Sequence, residues 1–367
     1  MPNGYWIDKL GLMVRPFDLR DLALIRRLGE RGIPLHTVSA LAENFHPLRG
    51  AIMNMLIGGE FPTFVWKKNA GEKAGFIQLR LGHGKQAYLL HISPRCDSVP
   101  ESGSMESGSI TVNQDCAIWL DLLDEAVAYV GQYGIHHIIA EVDELSPELL
   151  ILRRAGFAVY TRQDIWAIKP SSFQSRNLPA LELVRRHMSD DWDIQLLYAN
   201  TVPRLVQLVE PMPPIDEGEN WVIRDRGNIA AAVHFHKGAV ATWLRFFIHP
   251  DAEAEAEAIV IAALRVAFAT EPEIVYCCVR RYESWLPSAL DQCGFSIFGS
   301  QAVMVRHTVH PLPRMMADKA IALEGKGISA PSTFVRGSEP FVMKEEDEAF
   351  TGINGSKTVT RRLTHTS

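Results

Sequence analysis

Residues 134–168 read GIHHIIAEVDELSPELLILRRAGFAVYTRQDIWAI, and residues 272–306 read PEIVYCCVRRYESWLPSALDQCGFSIFGSQAVMVR. Each stretch holds an apolar run, a polar turn, a short helical pattern that ends at Gly-Phe, and a final run of alternating apolar residues. The two stretches begin about 138 residues apart, which is too long for a solenoid repeat and typical of two copies of one domain. The sequence therefore predicts a tandem duplication.

Composition narrows the class of protein. The chain has 367 residues, of which 47% are hydrophobic, enough for two domain cores. A net charge of −6 disfavours nucleic acid or an anionic membrane as the main partner. The N-terminus lacks a basic start followed by an apolar core, and the longest apolar stretch, residues 258–269, is interrupted by Arg265. We therefore expect a cytoplasmic protein without a membrane span.

Cysteines and histidines give no metal-binding pattern. The five cysteines are odd in number and follow no ligand spacing, so we expect reduced thiols. Two histidine pairs, residues 136–137 and residues 234 and 236, stand close in sequence, but no third ligand follows at a supporting distance. The sequence therefore predicts no metal site.

The first half has a mixed α+β order. The patterns predict a strand at 13–17, a helix capped by Asp18 or Asp21, a helix near 47–57, strands at 61–67, 75–81 and 86–93, and a helix at about 114–132. Asn-Ala-Gly-Glu and Gly-His-Gly separate the three middle strands and favour hairpin turns. The first half is therefore predicted as a twisted mixed sheet flanked by helices.

The second half repeats this order. It shows a strand at 181–185, helices at 192–200 and 203–209, strands at 221–224, 228–236 and 239–248, and a central helix at 252–269. Ser and Pro mark residues 171–180 as a linker, so we predict domains at 1–170 and 181–310. From residue 311 to residue 367 the periodicity is lost, which predicts a poorly ordered tail. A partner-binding segment at 334–343 is the alternative.

Three motifs carry a resemblance to a known family. They are V-R-P-F-D-x-x-D-L-x-x-I-x-x-L at 14–28, L-L-H-I-S-P at 89–94 and S-P-E-L-L-I-L-R-R-A-G-F at 146–157. In this order they resemble the GNAT N-acetyltransferase superfamily over residues 8–168, with a weaker match, strongest at 227–306, in the second half. The resemblance implies two tandem GNAT-like folds of the α+β class. It also implies acyl-CoA as a cosubstrate.

In that family, acyl-CoA lies where the fourth and fifth strands part, with its pantetheine on strand four and its pyrophosphate at the next helix start. A helix N-terminus offers unpaired N–H donors and partial positive charge to a phosphate. The resemblance places strand four at 86–93 and strand five at 135–142. The cofactor-binding residues that it implies are Ile92, Ser93, Gln114, Ala117, Ile118 and Trp119.

The first half departs from the family's phosphate loop, Q/R-x-x-G-x-G/A. Gln114 keeps its motif residue, but Ala117 and Trp119 stand at the two small positions. The indole of Trp119 either packs in the core with Leu122 and Leu123 or blocks the groove between the parting strands. Substitution of Trp119 by Gly distinguishes these arrangements.

The second half departs from the same loop differently. The motif positions hold Glu253, Ala256 and Ala258, so small residues remain. However, Glu253, Glu255 and Glu257 bring carboxylates near the expected pyrophosphate, and like charges oppose binding. An Ala/Glu-rich helix start is the plainer interpretation. We therefore expect any acyl-CoA site in the first half.

Acetyl transfer needs a base for the amine and commonly an acid for the departing thiolate. The tyrosine that many family members use as the acid is replaced by leucine in both halves. The candidates nearby are Glu141, with Asp143 two residues further, at the end of strand five, His91 near the end of strand four, and Tyr160 after the Gly-Phe turn. Each also has a purely structural interpretation. Glu141 would be a solvated or helix-capping carboxylate, His91 a buried hydrogen-bonded histidine, and Tyr160 a residue that packs on the sheet.

Two functions remain open. The first is acyl-CoA-dependent N-acyltransfer, with acetyl-CoA as the donor and a small-molecule or peptide amine as the acceptor. The second is a catalytically inactive GNAT-like scaffold that binds a small molecule or a protein partner. The identity of the acceptor does not follow from the sequence.

Overall fold

The computed structural model describes residues 12–68, 73–82, 84–96, 114–173, 181–213, 218–269 and 273–308. The predicted tail at 311–367, with its alternative binding segment, lies outside these residues, as does most of the predicted linker. The boundary between the two domains therefore stays a prediction. Among the described residues, no helix combines the length and apolarity needed to cross a membrane.

The first half contains seven strands and five helices among its described residues. The strands are β1 Leu12–Pro16, β2 Ile33–Pro34, β3 Thr63–Lys68, β4 Ala74–Leu81, β5 Gln86–Ser93, β6 His137–Asp143 and β7 Ala158–Ile168. The helices are α1 Leu22–Gly29, α2 Thr37–Leu41, α3 Pro47–Ile57, α4 Gln114–Gln132 and α5 Glu148–Arg154. Asp18 caps the 3-10 turn before α1, as its spacing predicted. The sequence patterns did not predict β2 or α2.

The second half supplies the remaining elements. Its strands are β8 Val184–Arg185, β9 Glu219–Asp225, β10 Asn228–Lys237, β11 Thr242–Ile248, β12 Val275–Arg280 and β13 Ser296–His307. Its helices are α6 Asp191–Thr201, α7 Arg204–Gln207, α8 Ala256–Phe268 and α9 Leu286–Gln292. Helix α8 begins later than predicted because residues 250–255, which start with Pro250, form a 3-10 helix.

The halves share one sheet instead of forming two. The strand order is β1-β3-β4-β5-β6-β13-β7-β12-β11-β10-β9-β8, and β2 adds to β5. The last strands are exchanged: β13 lies between β6 and β7, and β7 pairs with β12 of the second half. This exchange pairs both edges of β7 and β13, so no strand edge is left open at the centre.

Helices α4 and α8 cover one face of the sheet. Trp119 and Leu122 of α4 are fully buried in the first core, and Ile259 and Leu264 of α8 are fully buried in the second. On the opposite face, α1 and α3 cover the first half and α6 covers the outer strands of the second half. The face over the exchanged strands, between these helices, is where the polar residues gather.

The cysteines correct one prediction. Cys96 and Cys116 form a disulfide, so the expectation of five reduced thiols is wrong for this pair. The fold brings the loop after β5 to the first turn of α4, a proximity that the 20-residue separation does not reveal. Cys277, Cys278 and Cys293 are buried and lie outside any disulfide.

Candidate functional site

A cavity of about 190 Å³ lies over the centre of the sheet and is lined by both halves. On β6, Ile138 and Ala140 pack toward α4, whereas the alternate residues Ile139 and Glu141 face the cavity. Its titratable lining includes His36, Glu43, Glu141, Glu210, His234, His236, Arg245 and Arg280. The cavity is therefore a polar site on the face of the sheet opposite α4 and α8.

The gap between β5 and β6 is filled by the chain itself. The parallel pairing of these strands ends where Tyr88 lies opposite Ile139. Beyond that point, residues 33–37 run into the gap. The Leu35 N–H donates to the Leu90 carbonyl of β5 at 2.9 Å. The segment is thus hydrogen-bonded to β5 in the way that a neighbouring strand of a sheet would be.

The same segment is bonded to β6. The Glu141 N–H donates to the Leu35 carbonyl at 2.8 Å, and the Glu141 carboxylate accepts the Thr37 N–H at 2.6 Å. Gly32 allows this close approach, since a Cβ there would lie 2.2 Å from Nε2 of His91. Both strand edges that a pantetheine would use are already hydrogen-bonded. In this conformation, residues 33–37 occupy the place where the resemblance implies the pantetheine.

His36, in the middle of this segment, lines the cavity. Its Nδ1 lies 2.9 Å from Ser39 Oγ, and Ser39 donates its only hydroxyl proton to Glu43 at 2.7 Å. His36 Nδ1 is therefore the donor to Ser39, which leaves the lone pair on Nε2. Burial lowers the pKa of His36, against the opposing charge of Glu141, so the imidazole is neutral at neutral pH.

Glu43 connects the two halves. Its Oε1 lies 3.1 Å from Nη1 of Arg80 and 3.0 Å from Nε2 of His236 on β10. Burial would raise the pKa of Glu43, but the contact with His236 and the charge of Arg80 outweigh it and lower that pKa to about 2. Glu43 is therefore ionised and holds the Ser39 hydroxyl in place for His36.

Glu210 forms the other end of the cavity, across β11 and β12. Arg280 Nη2 donates to its two carboxylate oxygens at 2.7 and 2.8 Å, and Arg245 Nη1 donates at 3.2 Å. The Tyr160 hydroxyl donates to the same carboxylate. Burial would raise the pKa of Glu210, but the charges of both arginines outweigh it and lower that pKa. Glu210 is therefore an ionised carboxylate in a buried setting.

The gap between β11 and β12 in the second half corresponds to the gap between β5 and β6 in the first half, but it differs in what fills it. The pairing of β11 with β12 ends where Arg245 lies opposite Cys278. Within the described residues, no backbone segment is hydrogen-bonded into this gap. The side chains of Arg245, Glu210 and Arg280 lie beside it and line the cavity. The second half therefore lacks, among these residues, the backbone segment that fills the first gap.

The three predicted catalytic residues are not brought together. Glu141 lines the cavity. Tyr160 is bonded to Glu210, and burial followed by the Glu210 charge raises its pKa, so it stays protonated. His91 is absent from the cavity lining that the structure describes; it stacks on Phe76, and burial lowers its pKa to about 4. From the sequence, the structural interpretation of His91 is a hydrogen-bonded core histidine. The Nε2 atom of His91, however, has no hydrogen-bond partner among the described residues.

The predicted cofactor residues lie mostly in the core. Ile92 pairs with Ile33 of β2, and the Ser93 hydroxyl donates to the Leu28 carbonyl. Ile118 and Trp119 are buried, and the indole N–H donates to the Pro94 carbonyl at 2.7 Å; Ala117 is exposed. Gln114 begins α4, but its side chain lies outside the described residues. The groove is therefore occupied by residues 33–37 and not by Trp119. The role of these residues in binding stays a prediction.

Sequence reasoning missed four residues of this site: His36, Glu210, Arg245 and Arg280. His36 lies in a short segment without periodicity, so it carries no signal in a single sequence. Arg245 and Arg280 did carry a signal in the sequence, because each places a charge in an otherwise apolar strand. Among the described residues, no group of three or more potential metal ligands is clustered.

Comparison with known proteins gives results only at the level of structure. No family model matches the chain, and no curated protein matches it significantly. The glucosamine N-acetyltransferase region of a fungal multi-domain GH3 β-N-acetylglucosaminidase is similar with a TM-score of 0.52 at 12% identity, over 80% of this chain and 38% of that chain.

Two further solved structures are similar over most of both chains. A GCN5-related N-acetyltransferase from Sphaerobacter thermophilus gives a TM-score of 0.49 at 12% identity, over 81% of this chain and 96% of that chain. A tandem GNAT protein from the clavulanic acid biosynthesis pathway gives 0.46 at 11% identity, over 81% and 99%.

At such low identity, structural similarity concerns the fold alone. In each half, the helix-covered meander leads to a fourth strand that parts from the fifth, with the central helix between them. The chain therefore has the fold of the GCN5-related N-acetyltransferases, and each half follows this order of elements.

Proposed function

We propose that this chain is an acyl-CoA-dependent N-acyltransferase that transfers an acetyl group from acetyl-CoA to an amine held in the central cavity. The observation that carries this proposal is the neutral His36, whose Nε2 lone pair is set by the Ser39 and Glu43 hydrogen bonds. The amine attacks in its neutral form, after an ammonium has lost a proton to water. Amide formation joins the acetyl carbon to the nitrogen, breaks the C–S bond and releases the CoA thiolate, which takes up the proton that the nitrogen loses by way of His36. His36 is the group that accepts that proton.

Glu141 acts through His36. Its carboxylate is fixed by the Thr37 N–H, and its negative charge favours the protonated imidazole that forms when the amine is deprotonated. This makes Glu141, a predicted catalytic residue, a positioning and electrostatic partner of the base. Glu43 and Ser39 keep the imidazole in the tautomer that can accept a proton.

We place acetyl-CoA in the second half, at the gap between β11 and β12. There the strand edges are unoccupied by backbone among the described residues, and Ala256 and Ala258 leave room at the start of α8. The partial positive charge at the start of α8 would face the pyrophosphate. This location replaces the first-half site that the phosphate-loop comparison favoured, because residues 33–37 fill that gap.

The first test is calorimetric titration of acetyl-CoA into the full chain, followed by CoA thiol release with a panel of amines. We expect binding, and thiol release that depends on both the amine and the protein. Failure of acetyl-CoA to bind, together with no thiol release from any amine, would favour the inactive scaffold.

The second test replaces His36. His36→Asn keeps a donor for Ser39 but removes the base, so kcat should fall roughly 100- to 10,000-fold while acetyl-CoA affinity is retained. His46→Asn, at an exposed position outside the cavity lining, is the matched control and should keep its activity. Unchanged turnover in His36→Asn would assign the base to another group.

A further inference from the structure

The Glu210 end of the cavity holds more positive than negative charge. Arg245 and Arg280 contribute two guanidinium groups, and Glu210 contributes one carboxylate. Glu283 accepts the Arg280 backbone N–H, and burial raises the pKa of Glu283 to about 7, so it supplies only part of a charge at neutral pH. Burial and the charge of Arg245 lower the pKa of His234 to about 4, so it is neutral. A net positive charge is therefore left at this end of the cavity.

Several N–H donors of these two arginines also lack a hydrogen-bond acceptor. Nε and Nη1 of Arg280 and Nε and Nη2 of Arg245 are buried and have no hydrogen-bond partner within the described part of the chain. The Arg280 side chain is only 5% exposed, and both arginines line the cavity. Unpaired buried donors of a charged group are costly, so such donors favour an anionic ligand.

Size limits that ligand. An apolar cavity of roughly 150 Å³ holds benzene, so a cavity of about 190 Å³ holds roughly six to eight non-hydrogen atoms. A carboxylate carries one negative charge and pairs with a guanidinium through two parallel hydrogen bonds. It therefore matches both a small positive surplus and the small volume, whereas a phosphate ester brings more charge.

We infer that Arg245 and Arg280 bind the carboxylate of the amine acceptor, so that the substrate class is short amino acids. This inference rests on the proposed acyltransfer. The carboxylate lies at the Glu210 end, and the amine extends toward His36, beside the negative charges of Glu141 and Glu43. A zwitterion thus meets opposite charges at the two ends of one cavity.

The binding test uses butyrate as the probe and the neutral butyramide as its matched control, both titrated into the full chain without acetyl-CoA. We expect butyrate to bind and butyramide to bind at least about tenfold more weakly. Equal affinity for the two probes would overturn the inference. Because no acyl donor is present, this result is independent of the proposed transferase activity.

Two variants separate a ligand site from a structural ion-pair network. Arg245→Met leaves Glu210 paired with Arg280 and should weaken butyrate binding at least about tenfold, with Arg245→Lys intermediate. Glu210→Gln removes the competing carboxylate and should tighten butyrate binding by about tenfold. A purely structural network predicts no gain in Glu210→Gln, and that outcome would overturn the inference.

The acceptor assignment is tested by CoA thiol release with 4-aminobutyrate and with propylamine, which lacks the carboxylate. We expect kcat/KM to be at least about tenfold higher for 4-aminobutyrate, and Arg245→Met to remove that preference. Butyrate binding combined with equal use of both amines would overturn the acceptor assignment. Absence of transfer to either amine, with butyrate still bound, would count against the proposed function and leave the anion site in place.

Discussion

The Glu141 N–H donates to the Leu35 carbonyl at 2.8 Å, across the point where β5 and β6 part. This bond makes residues 33–37 an added strand in the gap where a GNAT fold is expected to receive pantetheine. The segment continues into α2, whose Val38 and Leu41 pack against Trp243 and Tyr276 of the second half. One short segment thus fills the first gap and joins the two halves.

Gly32 should be intolerant of a side chain. In Gly32→Ala the new Cβ would lie 2.2 Å from His91 Nε2 and 2.5 Å from the Ile92 carbonyl oxygen, so the segment must shift. We expect a loss of about 1 to 3 kcal/mol in the free energy of unfolding, measured with urea. Gly299→Ala, where a Cβ meets nothing within 4 Å, is the matched control. Equal stability of the two variants would mean that residues 33–37 are not tightly held.

Trp119 should matter for stability and not for acetyl-CoA binding. The indole is fully buried in the first core, and its N–H is bonded to Pro94. Trp119→Gly should lower the free energy of unfolding by roughly 3 to 5 kcal/mol and leave acetyl-CoA affinity unchanged. Trp192→Gly, at a 78% exposed position, should cost only about 1 kcal/mol through helix propensity. New acetyl-CoA binding in Trp119→Gly would show that the indole blocks the first half.

Glu283 should make stability fall with rising pH. Burial raises its pKa from 4.5 to about 7, so the folded state holds the proton more tightly than the unfolded state does. Its contribution is complete below about pH 4.5 and is lost as pH rises through 7. Relative to Glu283→Gln, the wild type should lose on the order of 3 kcal/mol between pH 5 and 8.

Urea unfolding at several pH values measures this difference. Glu273→Gln, at an exposed position, controls for the loss of a carboxyl group. A constant difference between the wild type and Glu283→Gln across this pH range would refute a raised pKa. Because buried His91 and His234 also titrate, the comparison uses the difference between proteins and not the wild-type curve alone.

The carboxylates before α8 should weaken acetyl-CoA binding if the cosubstrate occupies the second half. Glu253 and Glu255 are exposed near the expected position of the pyrophosphate. The double substitution to Gln should raise acetyl-CoA affinity severalfold at low salt and by less at high salt, measured by calorimetry. Glu30→Gln, an exposed change in the first half, should have no effect. No gain from the double substitution would mean that the pyrophosphate lies away from the start of α8.

Much of the secondary structure was predictable because it depends on the local spacing of apolar and turn residues along the chain. The apolar spacing of α4 identifies that helix, and the apolar runs of β3 to β5 with turn residues between them identify those strands, without knowledge of their neighbours. The Gly-Phe ends of the repeated units mark α5 and α9 in the same way. These patterns, in order, were sufficient to predict the GNAT fold.

The sequence by itself determined most of the elements, their order and many of the apolar residues that they bury, since burial of apolar side chains follows the period of a helix or a strand. The tertiary structure alone decided that β13 inserts between β6 and β7, that residues 33–37 occupy the first gap, and that Arg245 meets Arg280 at Glu210. Backbone N–H and C=O groups are the same at every residue, so an open strand edge does not specify its partner. That choice depends on which segment the rest of the fold brings to the edge.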